Sequence, residues 1–396
     1  MTYQESLAWL LSTQQFGIKL GLENTFRLLV GRGNPHEGLK IIHVAGTNGK
    51  GSVCAMLDAI LRRAGFRTGL YTSPHLVDFR ERIQIDGTMV AQDAVADGLT
   101  ELRTLSDEWD HCPTFFEIAT VLALDLFAAE GCDFVVLETG MGGRLDATNA
   151  VTPVLSVITP IAMDHAEWLG NSIGKIAVEK AGIIKPGIPV VSARQTGEAE
   201  QVLLQRASAS RSELTFVQNP WPHHIALEGE HQSWNAALAA LAIQKAGLGI
   251  AESLVMEALL DVRWPARFQR MADRVIVDGA HNPHAVVTLV DAWKKAFPSE
   301  RATIVFGALD DKDYGEMIRV LDEIAEEFWF VPISSGRTAD AAAFKGMTSR
   351  PSQTFHDLSA ALDAISGSSH PVLMTGSLFL AGEVLARLAD AQGKPS

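Results

Sequence analysis

The sequence predicts an α/β protein with two domains, and three observations lead to that prediction. The chain has 396 residues, and at roughly 100 to 200 residues per domain this length corresponds to two or three domains. From residue 39 onward, short apolar runs alternate with longer amphipathic segments, which is typical of a mainly parallel sheet covered by helices. The alternation begins again after Arg263-Trp264-Pro265. We therefore expect domains at residues 1–265 and 266–396, with Pro265 and the polar stretch 269–273 as a hinge.

Each domain is expected to alternate strands with helices, because parallel neighbours need a crossover connection. In the first domain, the predicted strands are residues 39–45, 68–72, 133–138, 154–161 and 188–192. The predicted helices of that domain are residues 50–64, 92–106, 115–129, 172–182 and 231–247. In the second domain, the predicted strands, each followed by a helical stretch, are residues 274–277, 302–306, 327–333 and 371–374.

The composition excludes several classes of protein. With 47% hydrophobic and 20% charged residues, the chain can bury large cores and differs from disordered proteins. Its net charge of −14 argues against duplex nucleic acid and anionic membrane as partners. Cys54, Cys112 and Cys132 have the spacing of neither a disulfide framework nor a zinc site, and the N-terminus lacks an export-signal pattern. We expect a cytoplasmic protein with no nucleic-acid and no membrane partner.

A glycine-rich segment follows the first apolar strand and opens a helix. Its glycines let backbone N–H groups approach a phosphate, and the helix N-terminus favours the negative charge. Lys50 adds a positive charge and the Ser52 hydroxyl can reach Mg²⁺. The general Walker pattern does not fit, because Gly51 stands between Lys50 and Ser52; a plain strand-to-helix turn is the structural alternative. The predicted ATP-binding residues of the loop are Thr47, Asn48, Gly49, Lys50, Gly51 and Ser52.

The predicted fold class is therefore α/β, with an N-terminal P-loop ATPase domain on a mainly parallel sheet and a smaller C-terminal Rossmann-like α/β domain. The segment Gly46-Thr47-Asn48-Gly49-Lys50-Gly51-Ser52 resembles the nucleotide loop of the Mur ligase superfamily. Further motifs resemble, in order and over nearly the whole chain, those of folylpolyglutamate synthase and dihydrofolate synthase. They are Leu20-Gly21-Leu22-Glu23-Asn24, Thr72-Ser73-Pro74-His75-Leu76, Arg80-Glu81-Arg82-Ile83, Thr114-Phe115-Phe116-Glu117, Glu138-Thr139-Gly140-Met141-Gly142-Gly143-Arg144-Leu145-Asp146-Ala147-Thr148-Asn149, Asp164-His165, Glu179-Lys180-Ala181-Gly182 and Asp278-Gly279-Ala280-His281-Asn282-Pro283.

The resemblance implies ATP-dependent amide formation. A carboxylate is phosphorylated to an acyl phosphate, and the amine of L-glutamate attacks it, so that ADP and phosphate are released. Such phosphoryl transfer depends on positioning and on neutralising charge. The resemblance implies two Mg²⁺ ions, with Ser73, Glu138 and His165 as ligands. Glu138 ends an apolar strand at the carboxyl edge of the sheet, where ligands bind, whereas an imidazole is an atypical ligand for so hard a cation.

Lys180 is predicted to be buried. Ile173, Ile176, Ala177 and Lys180 follow the spacing i, i+3, i+4, i+7, so that the lysine lies on the apolar stripe of its helix. Burial lowers the pKa of a lysine and increases the fraction of neutral amine, the form that reacts with CO₂. The resemblance implies a carbamylated Lys180 that helps to organise the metal site. A snorkelling lysine at a helix end is the alternative.

The resemblance also implies further nucleotide and glutamate contacts. Asn235, Arg267 and Asp278 are implied to bind ATP, and His281 is implied to lie near the incoming glutamate or the transferring phosphate. Ser377 follows a later strand and opens a helix, which predicts an anchor for a glutamate carboxylate. Asn235 and Ser377 could instead be ordinary helix caps. Ala266 stands where the family pattern has glycine before the arginine. The implied catalytic residues are Lys180, Arg267, Asp278 and His281.

The implied site for the pterin ring includes two phenylalanines, on which a flat heterocycle can stack. Paired phenylalanines are also common in protein cores, so that a purely structural role stays open. The implied small-molecule substrates are ATP, L-glutamate and dihydropteroate or folates, and a monomer is expected. The implied pterin-binding residues are Ser12, Thr13, Gln14, Thr114, Phe115, Phe116, Glu117 and Leu145.

Two other functions remain open at the level of the sequence. A Mur-like ligase could join another amino acid to a different carboxylate. A P-loop ATPase could instead use hydrolysis to switch a partner protein, although this leaves Asp278 and His281 without a purpose. Dihydrofolate synthesis and polyglutamylation use the same chemistry, and the sequence does not decide between them.

Overall fold

A computed structural model describes residues 1–16, 21–272 and 274–391 of the chain. The chain divides into two compact units. The first comprises Met1–Pro74, Phe79–Ala226 and Ser233–Val262, and the second comprises His75–Asp78, Leu227–Gln232 and Arg263–Ser396. Leu20 of the first family motif and Asp273 of the expected hinge lie outside the described residues.

The first unit is built on an eight-stranded sheet. Its strands are β1 (Ile41–Ala45), β2 (Thr68–Tyr71), β3 (Ile83–Ile85), β4 (Thr88–Met89), β5 (Phe134–Glu138), β6 (Leu155–Ile158), β7 (Val190–Ser192) and β8 (Leu214–Phe216). Their order is β4-β3-β2-β5-β1-β6-β7-β8. The pairs from β2 to β8 are parallel, whereas β3 and β4 are antiparallel additions at one edge. The predicted mainly parallel sheet is confirmed.

Helices connect these strands. They are α1 (Tyr3–Ser12), α2 (Glu23–Gly31), α3 (Lys50–Arg63), α4 (Gln92–Ser106), α5 (Phe115–Ala129), α6 (Ala166–Leu169), α7 (Ile173–Lys180), α8 (Gly197–Ala209), α9 (Glu230–Lys245) and α10 (Glu252–Asp261). The central strands β1 and β5 are buried along their whole length, because helices cover both faces of a parallel sheet. The strands β1, β2, β5 and β6 therefore end side by side, and the loops that follow them form one edge of the sheet.

The second unit contains a six-stranded sheet. Its strands are β9 (Gln269–Ala272), β10 (Val275–Val277), β11 (Ala302–Phe306), β12 (Ala325–Phe330), β13 (Ser352–Thr354) and β14 (Val372–Thr375). The order is β13-β12-β11-β14-β10-β9. All neighbours are parallel except β9, which pairs antiparallel with β10. The helices of this unit are α11 (Pro283–Ala296), α12 (Tyr314–Leu321), α13 (Leu358–Ala364) and α14 (Leu378–Ala391).

The expectation that residues 269–273 form a hinge is wrong for the described part of that stretch. Gln269–Ala272 is the edge strand β9, with alternating half-buried and exposed side chains. A strand with only one face against the protein tolerates polar residues, which is why its composition looked like that of a linker.

Short 3₁₀ segments join several of these elements. They are Thr13–Phe16, Pro35–Gly38, Phe79–Arg82, Ala147–Ala150, Ala181–Ile183, Ala343–Met347 and Ile365–Gly367. Across residues 1–16, 21–272 and 274–391, no helix combines the length and the apolar character that crossing a bilayer requires.

Candidate active site

The glycine-rich loop connects β1 to α3 in a close-packed environment. Gly49 has φ +86°, a conformation that favours glycine. A Cβ atom on Gly46 would lie 1.9 Å from Thr159 Oγ1, and one on Gly49 would lie 2.7 Å from Asn235 Oδ1. Glycine is therefore required at both positions. The contact also brings Asn235, which is 5% exposed, directly against the predicted phosphate loop.

The loop is fastened to the segment that follows β6. The Thr47 backbone N–H donates to Pro160 O at 2.9 Å. Its hydroxyl donates to Ala162 O and accepts from Ala162 N–H, both at 3.0 Å. Lys50 Nζ donates to Thr47 O at 3.3 Å, so that its ammonium group lies over the loop. The strand-loop-helix arrangement predicted for phosphate binding is thus present, with its lysine close to the loop backbone.

Lys180 lies beneath the same loop. Its Nζ donates to Gly46 O at 2.6 Å, and only 4% of the residue is exposed. Burial, together with the nearby positive charge of Lys50, lowers the pKa of Lys180 to about 7, although Asp164 and Asp146 act in the opposite direction. The amine that the helix periodicity placed on the apolar stripe is therefore buried and can be neutral near physiological pH.

Glu138 and Ser73 meet at adjacent strand ends. Glu138 ends β5 and is 3% exposed, and the Ser73 backbone N–H donates to Glu138 Oε2 at 3.0 Å. A carboxylate and a hydroxyl group supply oxygen donors of the kind that Mg²⁺ prefers. These two residues therefore fit the predicted metal site.

His165 lies in the loop before α6, in a left-handed conformation with φ +50°. Its backbone N–H donates to Asp164 Oδ1 at 2.9 Å, and its Nε2 is 4.0 Å from Asp164 Oδ2. The imidazole is partly exposed, at 37%. Within residues 1–16, 21–272 and 274–391, no group of three or more His, Cys, Asp or Glu side chains could hold a metal ion. The predicted set contains two such residues and a serine, so its completion by His165 stays a prediction.

Two of the predicted pterin-binding residues form a helix cap. Thr114 Oγ1 accepts from Glu117 N–H at 3.3 Å, and Glu117 Oε2 accepts from Thr114 N–H at 2.7 Å, which is a capping box at the start of α5. The partly buried rings of Phe115 and Phe116 follow directly. The Phe116 ring covers Gly140, where a Cβ atom would lie 2.5 Å from it. The Phe116 ring therefore faces the loop that follows Glu138, whereas the Phe115 ring lies against Phe79 and Arg82.

The remaining pterin candidates are more dispersed. The Ser12 and Thr13 hydroxyls donate to Trp9 O and Leu10 O at the end of α1. Gln14 is exposed and Leu145 is half-buried. The structure gives the two hydroxyl groups a local role in ending a helix and does not bring them to Phe116 by any described contact.

Asp278 organises the turn after β10 in the second unit. Its Oδ2 accepts from Phe268 N–H at 2.7 Å and its Oδ1 from Ala280 N–H at 2.8 Å. Burial raises the pKa of Asp278, and the charge of Arg267 partly offsets that effect. His281 Nδ1 lies 2.8 Å from Gly279 O in the same turn. Asp278 and His281 thus follow β10, and the Arg267 guanidinium lies beside Gly279 in the same turn.

Ser377 and Ala266 have clear local conformations. The Ser377 hydroxyl, in a residue that is 2% exposed, accepts from Phe379 N–H at 3.1 Å and caps α14. This is the helix-cap alternative left open by the sequence. Ala266 adopts φ +55°, the left-handed conformation for which the family's glycine is suited.

Comparisons with known proteins point to one family. Residues 44–187 match the Mur ligase middle domain, and residues 266–378 match the glutamate ligase domain of Mur ligases. The dihydrofolate synthase/folylpolyglutamate synthase of Bacillus subtilis is 34% identical, over 98% of this chain and 99% of that protein. The chain belongs to the folylpolyglutamate and dihydrofolate synthase family.

Solved structures of the family share the fold. The crystal structure of folylpolyglutamate synthase from Thermotoga maritima is 33% identical, covers 100% of this chain and 98% of its own, and has a TM-score of 0.85. Escherichia coli FolC in complex with DHPP and ADP is 30% identical over 98% of both chains, with a TM-score of 0.86. The chain is thus a C–N bond-forming ligase of the Mur type.

Most of the predicted site residues lie in one of the two matched domains, and Ser12, Thr13, Gln14 and Asn235 lie in neither. The middle-domain match contains the phosphate loop, Ser73, Glu138, His165 and Lys180. The glutamate-ligase match contains the turn from Arg267 to His281 and also Ser377. Asp146 and His43 have no role among the residues predicted from the sequence, although Asp146 lies in the motif after Glu138 and His43 lies in β1, just before the phosphate loop. Asp146 is buried and makes hydrogen bonds within its loop.

Proposed function

We propose that the protein uses ATP to join L-glutamate to dihydropteroate, to reduced folates or to both, through an acyl phosphate, with release of ADP and phosphate. The observation that carries this proposal is Lys180. Lys180 is 4% exposed and donates to the carbonyl of Gly46, so its amine lies directly against the phosphate loop. Its amine is suited to carbamylation beside the phosphate loop, because burial has lowered its pKa to about 7.

The residues of the first unit are proposed to hold ATP and metal. Backbone N–H groups of residues 47–52 and the ammonium group of Lys50 bind the phosphates, and Asn235 contacts the nucleoside. Ser73, Glu138 and His165 are proposed to hold Mg²⁺, which neutralises phosphate charge when it is bound. Carbamylated Lys180 supplies an additional anionic group near those ligands. The phenylalanine pair and Leu145 are proposed to hold the pterin ring.

The turn around Asp278 is proposed to contact ATP and to orient glutamate. The guanidinium group of Arg267 supplies positive charge for the phosphates, and the Asp278 carboxylate, which contacts ATP, also fixes that turn through two backbone N–H groups. His281 and Ser377 are proposed to orient glutamate. We further propose that residues 1–265 and 266–396 are the two functional domains, and that the enzyme acts as a cytoplasmic monomer without nucleic-acid or membrane partners.

The test is substrate-dependent release of ADP. Purified enzyme with Mg·ATP and L-glutamate is given dihydropteroate or tetrahydrofolate in parallel reactions, and the products are analysed by mass. We expect ADP release to require one of these acceptors and the product mass to increase by one glutamyl residue. If the enzyme ligates another amino acid to a different carboxylate, neither acceptor will support turnover.

The same assay separates the remaining alternative. An ATPase that switches a partner protein would release ADP without any small carboxylate. The pattern of products also decides between the two ligase activities, since a dihydrofolate synthase extends only dihydropteroate and a polyglutamylating enzyme extends tetrahydrofolate. Both products would indicate a bifunctional enzyme.

A further inference from the structure

Three polar side chains in the first unit form a buried hydrogen-bonded chain. His43 lies in β1, Thr148 in the 3₁₀ segment Ala147–Ala150, and Asp146 caps that segment. Their exposed fractions are 0%, 0% and 7%. His43 Nε2 lies 2.8 Å from Thr148 Oγ1, and Thr148 Oγ1 donates to Asp146 Oδ1 at 2.5 Å. The three groups are therefore linked in series by hydrogen bonds and are buried.

The single hydroxyl proton of Thr148 fixes the direction of the hydrogen bonds among these three side chains. Thr148 has one hydroxyl proton, and it is directed at Asp146. Thr148 Oγ1 must therefore accept from His43, which requires the neutral imidazole with its proton on Nε2. His43 Nδ1 is buried and has no hydrogen-bond partner in the described part of the chain, so a proton there would be unsatisfied. His43 acts as a fixed donor.

Asp146 transmits this arrangement to the loop after Glu138. Its Oδ2 accepts from Met141 N–H at 2.8 Å, and its Oδ1 also accepts from Thr148 N–H at 3.1 Å. The carboxylate thus ties residue 141 to residue 146 and closes the loop. Two proposed pterin contacts depend on that loop, because the Phe116 ring packs on Gly140 and Leu145 directly precedes Asp146.

We propose that His43 and Thr148 are positioning residues for the folate-type acceptor, acting through Asp146 on the loop 140–146. The proposal rests on the proposed function and extends it to residues that do not touch the substrate. Loss of these hydrogen bonds loosens the loop 140–146 and weakens binding of the pterin substrate. ATP binding is unaffected, because the phosphate loop is fastened separately to Pro160 and Ala162.

The test compares matched substitutions at the two positions. T148V removes the hydroxyl group at constant shape, and T148S keeps it. H43L removes the Nε2 donor, and H43Q places an amide N–H near the same position. We expect T148V and H43L to raise the KM for dihydropteroate or tetrahydrofolate by up to about tenfold, the upper end of the effect of one lost hydrogen bond. The kcat and the KM for ATP should stay within about twofold, and T148S and H43Q should restore the KM.

A control variant accounts for the loss of a buried hydroxyl group as such. Thr25 is 0% exposed, and its Oγ1 has no hydrogen-bond partner among the described residues. T25V should leave both KM values unchanged.

Hydrogen–deuterium exchange at the Met141 amide should be faster in T148V than in the wild type or T25V, whatever substrate the enzyme uses. In the wild type, NMR should show the Nε2–H tautomer of His43.

Different results overturn different statements. Absence of wild-type turnover with either acceptor would overturn the proposed function, and the substrate assignment made here with it. Normal wild-type turnover with an unchanged acceptor KM in T148V and H43L would overturn only the positioning role. An Nδ1–H tautomer of His43 in the wild type would overturn the proposed hydrogen bonds even if no variant folds. Unchanged hydrogen exchange at the Met141 amide in a folded T148V would also overturn them.

Discussion

Lys180 is a residue whose surroundings favour the neutral amine. Its pKa lies at about 7 because the amine is buried, so the neutral fraction rises as the pH increases through that value. We expect ¹³C-labelled CO₂ to give a carbamate NMR signal in the wild type that grows between pH 6 and pH 8. K180M should abolish the signal and the ligase activity, whereas K175M, on the exposed face of the same helix, should change neither.

The same pKa shift predicts how stability depends on pH. The folded state loses its proton near pH 7, whereas a lysine in the unfolded chain keeps it up to about 10.5. Between these values the unfolded state binds more protons, so the contribution of Lys180 to stability rises with pH and is most unfavourable below pH 7. In CO₂-free buffer, denaturant unfolding should find K180M more stable than the wild type at pH 6, with a smaller difference at pH 9. A constant difference would contradict the shifted pKa.

Ala266 stores backbone strain beside Arg267. Its φ of +55° is costly for a residue with a Cβ atom, and A266G removes that cost. The substitution also destabilises the folded state, because it removes a buried methyl group and increases the conformational entropy of the unfolded chain. We expect A266G to unfold within about 0.5 kcal/mol of the wild type. A292G, in the buried face of α11, should lose about 1.5 kcal/mol, because helical glycine and the lost methyl group both destabilise. Equal losses for the two variants would show that Ala266 is not strained.

The helix α5 is positioned by the same device as α1. Both begin with a capping box, Thr114 with Glu117 and Thr2 with Glu5, and loss of such a cap costs about 1 kcal/mol. T114A and T2A should both lower the free energy of unfolding by that order. T114A alone should also raise the KM for the folate substrate, because the cap fixes Phe115 and Phe116. T114S should behave as the wild type if Thr114 acts as a cap, whereas a raised KM in T114S would indicate direct contact with substrate.

The elements that sequence analysis predicted well are those that are buried on two sides. The strand β1 and the helix α3 were predicted within two residues, because a continuous apolar run and a glycine-rich turn are strong local signals. The antiparallel hairpin of β3 and β4 was not predicted. Its strands have three and two residues, too few to show a period, although Asp86-Gly87 at its turn is a recognised hairpin signal.

The candidate site was predictable only in part, because local sequence patterns do not show which distant residues meet. Local sequence placed Lys180 on an apolar stripe and Glu138 at a strand end. The contact of Lys180 with Gly46 spans 134 residues, and that of His43 with Thr148 spans 105. Such pairs are created by the order of strands in the sheet, so no local pattern indicates them. The strand β9 shows the converse, since its polar composition suggested a linker and its pairing with β10 made it part of a sheet.

The whole molecule carries a net charge of −14, yet each proposed substrate is an anion. Binding therefore depends on a few local positive groups. Arg144, which lies in the loop after Glu138, donates to Glu179 at 3.1 and 2.9 Å, and this pairing offsets part of its charge. Lys50, whose ammonium group lies over the phosphate loop, is left with a larger share of the attraction.

This distribution of charge predicts how nucleotide stabilises the protein. Mg·ATP at about 100 times its Kd should raise the free energy of unfolding by about 2.7 kcal/mol, because it binds the folded state alone. K50M should lose most of this gain, and K175M should retain it. Thermal unfolding with and without Mg·ATP measures both, and removal of Mg²⁺ by EDTA should reduce the wild-type gain, because the phosphate charge is then opposed by the acidic protein. A full gain in K50M would mean that backbone N–H groups alone hold the phosphates.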